Sequence, residues 1–426
     1  MMRVCMVKTR RVILVMSFLL FAWSATQARG TPPPLMVNEA LERQSVTRHL
    51  SYLVDPTGRA HIEEMAKHTD DFKPLTEERG DPSFGYSRHP HWFMFRVRNE
   101  NGTPVEWILE FSYPLIDRLE LYVPEGKAYR VMRGGDRLPS SVREVASRTI
   151  AFPLTEPPGE RAYFLRVESS GSLTVPLVAW SPRGFHGMEI KETILLGLSY
   201  GILIAMAIYH LFIFISIREK SYLYLSMMII AVTLFGMTNT GLSYQYLWPE
   251  NHAWGNMVHP FFLALANLLA LQFTRTFLAI RARFPRGDLL PLAAMAICAL
   301  LMPLSLLIEY YHASRATVML TGCSMAILIT MGIVSLSRGY HEARYYLMAC
   351  LVFFIGVILA AVRAYGLLPD NFITAWSSQI GIVAMALLFS FGVADKINVI
   401  RREREKAVEG LSESEKKYRT LVESAH

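Results

Sequence analysis

The chain of 426 residues is 52% hydrophobic and only 19% charged, and its mean hydropathy is +0.26. This balance is too apolar for an ordinary soluble protein and too polar for one that lies wholly in a membrane. The net charge of +7 comes mostly from Lys and Arg beside apolar segments, which indicates a membrane topology signal and argues against a nucleic-acid partner. Composition therefore predicts one water-soluble domain followed by one membrane domain.

The first 28 residues have the pattern of a secretory signal peptide. Four basic residues precede an apolar run from Val12 to Trp23, and Thr26 and Ala28 occupy the −3 and −1 positions of a cleavage site. An uncleaved anchor helix is the alternative, but the apolar run is short for a membrane span. Segment 1–28 is therefore predicted to export the residues that follow and then to be removed.

Residues 36–185 are predicted to form an exported β-sandwich domain. In the segment His91–Asn99 the side chains alternate between two faces, and the Asn101-Gly102 pair that follows favours a hairpin turn because both residues tolerate positive φ. Similar short strands recur up to Trp180 with turn residues between them. This spacing is typical of an antiparallel sandwich or jelly roll.

One face of these strands carries the candidate ligand contacts. It combines aromatic rings with charged groups, which suits a sugar or another small polar ligand. The alternative is a solvated sheet face with ordinary cross-strand ion pairs. The candidate residues are Trp92, Arg96, Glu110, Tyr122 and Arg166.

The sequence contains no recognisable constellation for catalysis, cofactor binding or metal binding. Nucleophile-elbow and zinc-protease motifs are absent, and no cysteine spacing fits a metal site. Glu106 and Glu110 form the only tempting carboxylate pair, but both lie on one predicted strand. We therefore expect no catalytic residues, no cofactor and no metal in this chain.

Residues 190–396 are predicted to form a seven-helix transmembrane bundle, because seven apolar stretches are each about long enough to cross a bilayer. Lys and Arg concentrate in the first, third and fifth loops and in the tail. The positive-inside rule therefore puts the N-terminal domain outside and the C-terminus in the cytoplasm, in agreement with the signal peptide. The predicted spans are 193–216, 222–241, 256–279, 288–308, 316–337, 344–366 and 373–394.

The middle parts of the predicted spans contain no Asp, Glu or Lys. Such groups are the usual trace of ion transport or proton relay, so their scarcity favours a bundle that relays a conformational change. A membrane transporter with an exported substrate-capture domain is the alternative. A membrane enzyme that acts on envelope glycan is a further one.

The tail after the last predicted span is amphipathic. Mostly apolar residues recur with alternating spacings of four and three, which predicts a coiled-coil signalling helix at 397–416 and a homodimer that forms through it. A single solvated helix whose basic residues lie on anionic headgroups is the alternative. Membrane lipid is an expected partner in both arrangements.

Short motifs in both halves of the chain carry a resemblance to a known family. Those of the membrane half are 201–209 (GILIAMAIY), Tyr222-Leu-Tyr224, Gly241, Tyr246-Leu-Trp248-Pro249, Ser337-Arg-Gly339, Ala343-Arg-Tyr-Tyr346, Ser390 and Ala394-Asp395. Those of the exported half are Trp92-Phe93, Glu106-Trp107, Gly135-Asp136, Phe152-Pro153-Leu154 and Tyr163-Phe-Leu-Arg166. With them the chain resembles the bacterial seven-transmembrane receptors with diverse intracellular signalling modules, the 7TMR-DISM family, and its exported half resembles their second type of extracellular domain.

The resemblance implies a receptor of the bacterial inner membrane. It implies that residues 36–185 are a periplasmic sensor domain, a jelly roll similar to carbohydrate-binding modules. It also implies a cytoplasmic output, a kinase or a diguanylate cyclase, as in two-component systems. Residues 414–426 resemble the opening helix of a PAS domain, and the rest of that domain and the output module are expected beyond this chain or on a separate partner. We therefore expect a transmembrane signalling receptor that senses a small, carbohydrate-like or other envelope-derived ligand.

Overall fold

The computed structural model of the protein describes residues 31–75, 81–364, 367–368 and 371–424. The predicted signal peptide 1–28 lies outside the described residues, and so do the last two residues of the segment that resembles a PAS domain. Most side chains of the predicted heptad helix also lie outside them, so the coiled coil and the homodimer stay predictions.

The exported half is built almost entirely from short strands separated by turns. Most strands are rich in β-branched and aromatic residues, which fit a pleated, half-buried surface. The strands are β1 (Leu35–Met36), β2 (Arg43–Ser45), β3 (Ser51–Val54), β4 (Lys73–Pro74), β5 (Ser83–Tyr86), β6 (His91–Asn99), β7 (Val105–Phe111), β8 (Arg118–Glu125), β9 (Ala128–Gly134), β10 (Ile150–Glu156), β11 (Gly159–Glu168), β12 (Ser172–Thr174) and β13 (Leu177–Trp180).

These strands form two main sheets within the described residues. The larger sheet has the order β4-β3-β6-β11-β8-β9, and β1 pairs with β6 in parallel. The smaller sheet has the order β10-β7-β13-β2, and β12 pairs with β5 apart from both. The predicted hairpin turn at Asn101-Gly102 lies between β6 and β7, but these two strands belong to different sheets.

The hydrophobic core lies between the two sheets. Phe93, Phe95 and Val97 point into it from β6 and are 1% exposed or less, as the alternation in the sequence predicts. Trp107 and Leu109 of β7 belong to the same core. Burial of each such side chain contributes about 1.5–3 kcal/mol relative to leaving it in water. The prediction of an N-terminal all-β sandwich is confirmed.

The second half of the described chain is helical. Its helices are joined by short connections, and their buried faces share one large apolar core. The helices, including the short α1 within the sandwich, are α1 (Ile62–Met65), α2 (Pro182–Ile217), α3 (Lys220–Asn239), α4 (Leu242–Tyr246), α5 (His252–Phe277), α6 (Ile280–Arg283), α7 (Leu289–Leu304), α8 (Tyr310–Ser337), α9 (Ala343–Ala364) and α10 (Phe372–Ser424).

Six of these helices contain segments long and apolar enough to cross a membrane, namely α2, α3, α5, α8, α9 and the first part of α10. The fourth predicted span, 288–308, corresponds to α7, which has only 16 residues. A helix of that length reaches about 24 Å, less than the hydrocarbon thickness of about 30 Å. Pro303 lies at its end, and the following residues form turns. The count of seven spans therefore stays a prediction.

Helix α10 is continuous for 53 residues. Its first part, Phe372–Asp395, is the last candidate span. The remainder extends about 45 Å further along the same axis, at 1.5 Å per residue. The last span and the predicted signalling helix are therefore one element without a break.

The sandwich runs directly into the first membrane helix. Strand β13 ends at Trp180, and Ser181 alone separates it from Pro182, the first residue of α2. The Ser181 hydroxyl caps the helix by accepting the N–H of Gly184 at 3.0 Å. A β-carbon at Gly184 would lie 2.8 Å from the carbonyl oxygen of Glu42, so the start of α2 lies directly against the sandwich.

Candidate functional site

The five candidate residues do not share one face. Four lie on the outer face of the larger sheet, where the Trp92 ring stacks on Tyr122 at 5.3 Å and Trp92 pairs across strands with Arg166. Glu110 lies on β7, which belongs to the smaller sheet. Alternation gives the face on which a side chain lies but not the sheet that its strand joins. The structure thus corrects the expected grouping of Glu110 with Trp92, Arg96, Tyr122 and Arg166.

The aromatic part of this outer face is covered. Ile62 and Met65 of α1, together with Phe72, form a small second core with Trp92 and Phe164. Trp92 is consequently 0% exposed. Large apolar side chains on the outer face are covered because their burial is worth about 25 cal/mol per Å². The sequence signal for this cover is the set of three apolar residues in the covering segment, which side-chain alternation within strands does not reveal.

The two arginines of this face are held in ion pairs. Arg96 lies 3.2 Å from Glu160. Arg166 lies 3.7 Å from Glu120 and 2.5 Å from Glu168. This is the arrangement of a sheet face with cross-strand ion pairs, the alternative that the sequence left open. Arg166 differs from Arg96 because its partner Glu168 also lines a polar cleft.

Glu110 ties the smaller sheet to the start of α2. Its side chain accepts the Thr149 hydroxyl at 3.0 Å and the Trp180 indole N–H at 2.8 Å. Trp180 belongs to a cluster of apolar side chains that also contains Phe185 of α2. A buried carboxylate is costly unless its oxygens accept hydrogen bonds, and both oxygens of Glu110 do. Its position is structural, at the junction of the two domains.

A polar cleft of about 420 Å³ lies where the sandwich meets the helical bundle. This volume falls within the range of small-molecule sites. Loops and strand ends of the sandwich form most of its wall, and the start of α8 forms the rest. We call it the interdomain cleft; it is lined by Gly58, Arg88, His89, Pro90, Asp117, Arg137, Glu168, Ser169, Ser170, Glu309 and Tyr311.

Charged groups and an aromatic ring give the interdomain cleft its chemistry. Asp117 lies 3.0 Å from Arg137 on the sandwich side. Arg88 reaches across the domain boundary, where it lies 3.8 Å from Glu309 and 4.7 Å from the centre of the Tyr311 ring. Carboxylates, guanidinium groups and a ring in one concave site can hydrogen-bond and stack against a ligand that is rich in hydroxyl groups.

A buried acid lies beside the cleft in the Gly135-Asp136 motif. A β-carbon at Gly135, where φ is +142°, would lie 2.3 Å from the carbonyl oxygen of Asp117, so only glycine allows this close approach. Burial, followed by the nearby Asp117 carboxylate, raises the pKa of Asp136 to about 8, although Arg137 and Arg143 act in the opposite direction. Burial and the neighbouring carboxylate therefore favour the protonated form of Asp136.

Direct contacts dock the sandwich on the bundle. The backbone N–H of Ser140 donates to the carbonyl oxygen of Pro249 at 2.9 Å. Arg148 donates to the carbonyl oxygen of Thr240 at 3.2 Å and forms an ion pair with Glu192 of α2. Through the contacts of Arg148, a shift of the sandwich acts on α2 at Glu192 and on the end of α3 at Thr240.

Gly241 lies in close contact with the sandwich at this interface. Its φ is +84°, and a β-carbon there would lie 2.3 Å from the carbonyl oxygen of Arg148 and 2.9 Å from the side chain of Pro114. Glycine therefore permits both the backbone conformation and the close approach of the two domains.

An all-β domain docked on a bundle with six helices long and apolar enough to cross a membrane defines the class of multi-pass membrane proteins with a folded domain outside the bundle. The family model for the 7TM domain of 7TM diverse intracellular signalling proteins matches residues 192–396, and the model for 7TMR-DISM extracellular domain 2 matches residues 47–181. The chain therefore belongs to the 7TMR-DISM family, as its motifs predict. A comparison with curated proteins found no match. The family indicates a transmembrane receptor in signalling, and its receptor-type domains are not catalytic.

Proposed function

We propose that this protein is a signalling receptor of the bacterial inner membrane. Its periplasmic sandwich binds a small, carbohydrate-like or other envelope-derived ligand, and its helical bundle relays that binding to a cytoplasmic output module. The observation that carries the proposal is the interdomain cleft, because both domains line it. A ligand that contacts both domains binds one docking geometry better than another, so it shifts the population between them.

We place the ligand in the interdomain cleft, with Arg166 at its edge through the contact with Glu168. A direct ligand contact by Trp92, Arg96, Glu110 or Tyr122 stays a prediction. A carbohydrate-like ligand is favoured because the cleft offers carboxylates and guanidinium groups to hydroxyls and the Tyr311 ring to an apolar sugar face.

Two connections support the relay from the sandwich into the membrane. The first is covalent, since β13 leads through Ser181 into α2, and Glu110 holds Trp180 at this junction. The second is the pair of contacts from Arg148 to Glu192 and to Thr240 at the end of α3. Movement of the sandwich thus reaches two membrane helices at once.

The unbroken α10 supports transfer of the signal out of the membrane. A continuous helix carries a rotation or a shift along its axis without loss at a hinge. In this proposal its last part lies in the cytoplasm, forms a homodimer and controls a kinase or a diguanylate cyclase. The basic residues of alternate loops support this orientation.

Calorimetric titration of the full chain in lipid nanodiscs, against a panel of neutral and acidic mono- and disaccharides, tests the site. Arg88→Ala is expected to weaken binding of the active sugar by about tenfold or more, since a charged hydrogen-bond donor is lost. Arg98→Ala is the matched control, because Arg98 forms an ion pair with Glu160 at 2.7 Å but does not line the cleft. Equal affinities of the two variants would contradict the cleft as the site, and no binding of any sugar would refute the ligand class.

A further inference from the structure

The helical bundle contains an internal cavity of about 340 Å³. Helices α3, α5, α8, α9 and α10 line it, and most of its wall is apolar, with Val232, Phe273, Met325, Phe353 and Ile382 as examples. Its volume falls within the range of small-molecule sites, which are mostly apolar with a few placed polar groups. The sensing mechanism proposed above does not use this cavity.

Polar groups lie at the end of the cavity nearer to the sandwich. Asn239 ends α3 there and Thr240 follows it, while Ser378 and Gln379 come from the second turn of α10. The carbonyl oxygen of Thr240 also accepts the hydrogen bond from Arg148 of the sandwich. The polar end of the cavity therefore adjoins the contacts that dock the two domains.

Gln379 is the residue that points to a ligand. It lines the cavity and is 7% exposed, and its amide nitrogen Nε2 forms no hydrogen bond of ordinary geometry with the described residues, although the Tyr200 hydroxyl lies close enough to interact with this amide. Asn267, on the same wall, is different because its amide donates to the Leu263 carbonyl and the Thr321 hydroxyl at 2.8 Å each. A buried amide donor without an acceptor is unfavourable, so an acceptor oxygen in the cavity would stabilise Gln379.

We propose that this cavity binds a single-chain amphiphile from the membrane, of the fatty-acid type. The acyl chain lies among the apolar side chains, and a head oxygen accepts the hydrogen bond from Gln379 Nε2. A phospholipid with two chains is too large for this volume. The head lies beside Thr240, whose carbonyl oxygen accepts the hydrogen bond from Arg148 of the sandwich. Binding of the amphiphile is therefore thermodynamically coupled to the docking of the sandwich. The site does not depend on what the interdomain cleft binds.

Photolabelling of the full chain in nanodiscs tests the site. The probe is a dodecanoic acid that carries a diazirine on its chain and an alkyne for detection, and labelled residues are identified by mass spectrometry. We expect saturable labelling of cavity residues that unlabelled dodecanoic acid displaces. Ala270→Phe fills the cavity and is expected to reduce this labelling by about tenfold or more. Ala205→Phe, the same change at an exposed position of α2, is expected to leave it unchanged.

Gln379→Leu tests the head contact in a variant that leaves the cavity open. It is expected to weaken displacement by dodecanoic acid about two- to tenfold, because one hydrogen bond is lost. Displacement by dodecane, which has no head oxygen, should stay the same. Unchanged displacement by the acid would overturn the head contact.

Two further outcomes would overturn the proposal itself. If labelling is confined to lipid-facing residues and Ala270→Phe does not change it, the cavity does not bind the amphiphile. Equal labelling by a phospholipid that carries the same diazirine chain would show that a bilayer lipid, and not a free single-chain molecule, enters the cavity.

Discussion

Replacement of Gly241 by alanine is expected to loosen the docking of the sandwich on the helical bundle. A β-carbon at this position would lie 2.3 Å from the carbonyl oxygen of Arg148, whereas ordinary contact begins near 3.4 Å. The loop that carries Arg148 must therefore retreat by about 1 Å to restore normal contact. Such a shift would lengthen the 3.2 Å hydrogen bond from Arg148 to Thr240.

Two free-energy costs add in this variant. An alanine with positive φ costs about 1 kcal/mol relative to glycine. Overpacking against the sandwich adds about 1–3 kcal/mol, and this second cost acts on the docked state alone. Gly339→Ala is the matched control, because Gly339 has φ +86° but has none of the described atoms within 4 Å of its β-carbon position.

Hydrogen exchange of the full chain in nanodiscs, followed by mass spectrometry, measures the docking. The segment 137–149 contains the Ser140 N–H that donates to Pro249 across the interface. In Gly241→Ala, exchange of this segment is expected to rise about 5- to 150-fold, which corresponds to about 1–3 kcal/mol. In Gly339→Ala it should match the wild type. Equal exchange in the two variants would refute the reasoning that close packing at Gly241 holds the domains together.

Two further predictions concern stability. Glu110→Ala is expected to destabilise the protein by about 1–3 kcal/mol, because the buried Trp180 N–H loses its acceptor at 2.8 Å. Chemical denaturation measures this loss of stability. The control is Glu106→Ala, at an exposed position of the same strand, which should change stability by less than about 0.5 kcal/mol. Similar losses in the two variants would contradict the structural role of Glu110. Because burial raises the pKa of Asp136 from 3.8 to about 8, its stabilising contribution is complete below pH 3.8 and is lost as the pH rises through about 8. Denaturation measured over this pH range should show that decline in stability, and Asp136→Asn should reduce its slope. Part of the slope should remain, because burial also raises the pKa of Asp117. An unchanged slope in Asp136→Asn would contradict the role of Asp136 as a buried acid.

Much of the sandwich could be predicted from side-chain alternation. The buried set Phe93, Phe95 and Val97 follows from the period of two in a strand, and the structure confirms it. The partners of a strand are set by contacts between distant segments, which a local pattern does not record. For this reason Glu110 could be placed on a face but not on the correct sheet.

The interdomain cleft could not be predicted for a related reason. Asp117, Glu168 and Glu309 come from three separate parts of the chain, and no period or spacing connects them. The helix within the fourth predicted span is shorter than the span, because the apolar composition continues beyond Pro303 whereas the helix ends at Leu304. Composition records how apolar a segment is but not where its backbone turns.

The most direct test of the relay is the distance between nitroxide labels at Arg286 and Val408 in the full chain in nanodiscs, measured by pulsed electron paramagnetic resonance. Arg286 is exposed in the loop between α6 and α7, and Val408 is exposed on α10 beyond the last candidate span. We predict that Gly241→Ala shifts this distance distribution relative to the wild type, while Gly339→Ala leaves it unchanged. Identical distributions in all three proteins, together with raised exchange at the interface in Gly241→Ala, would contradict the claim that docking of the sandwich controls the helix.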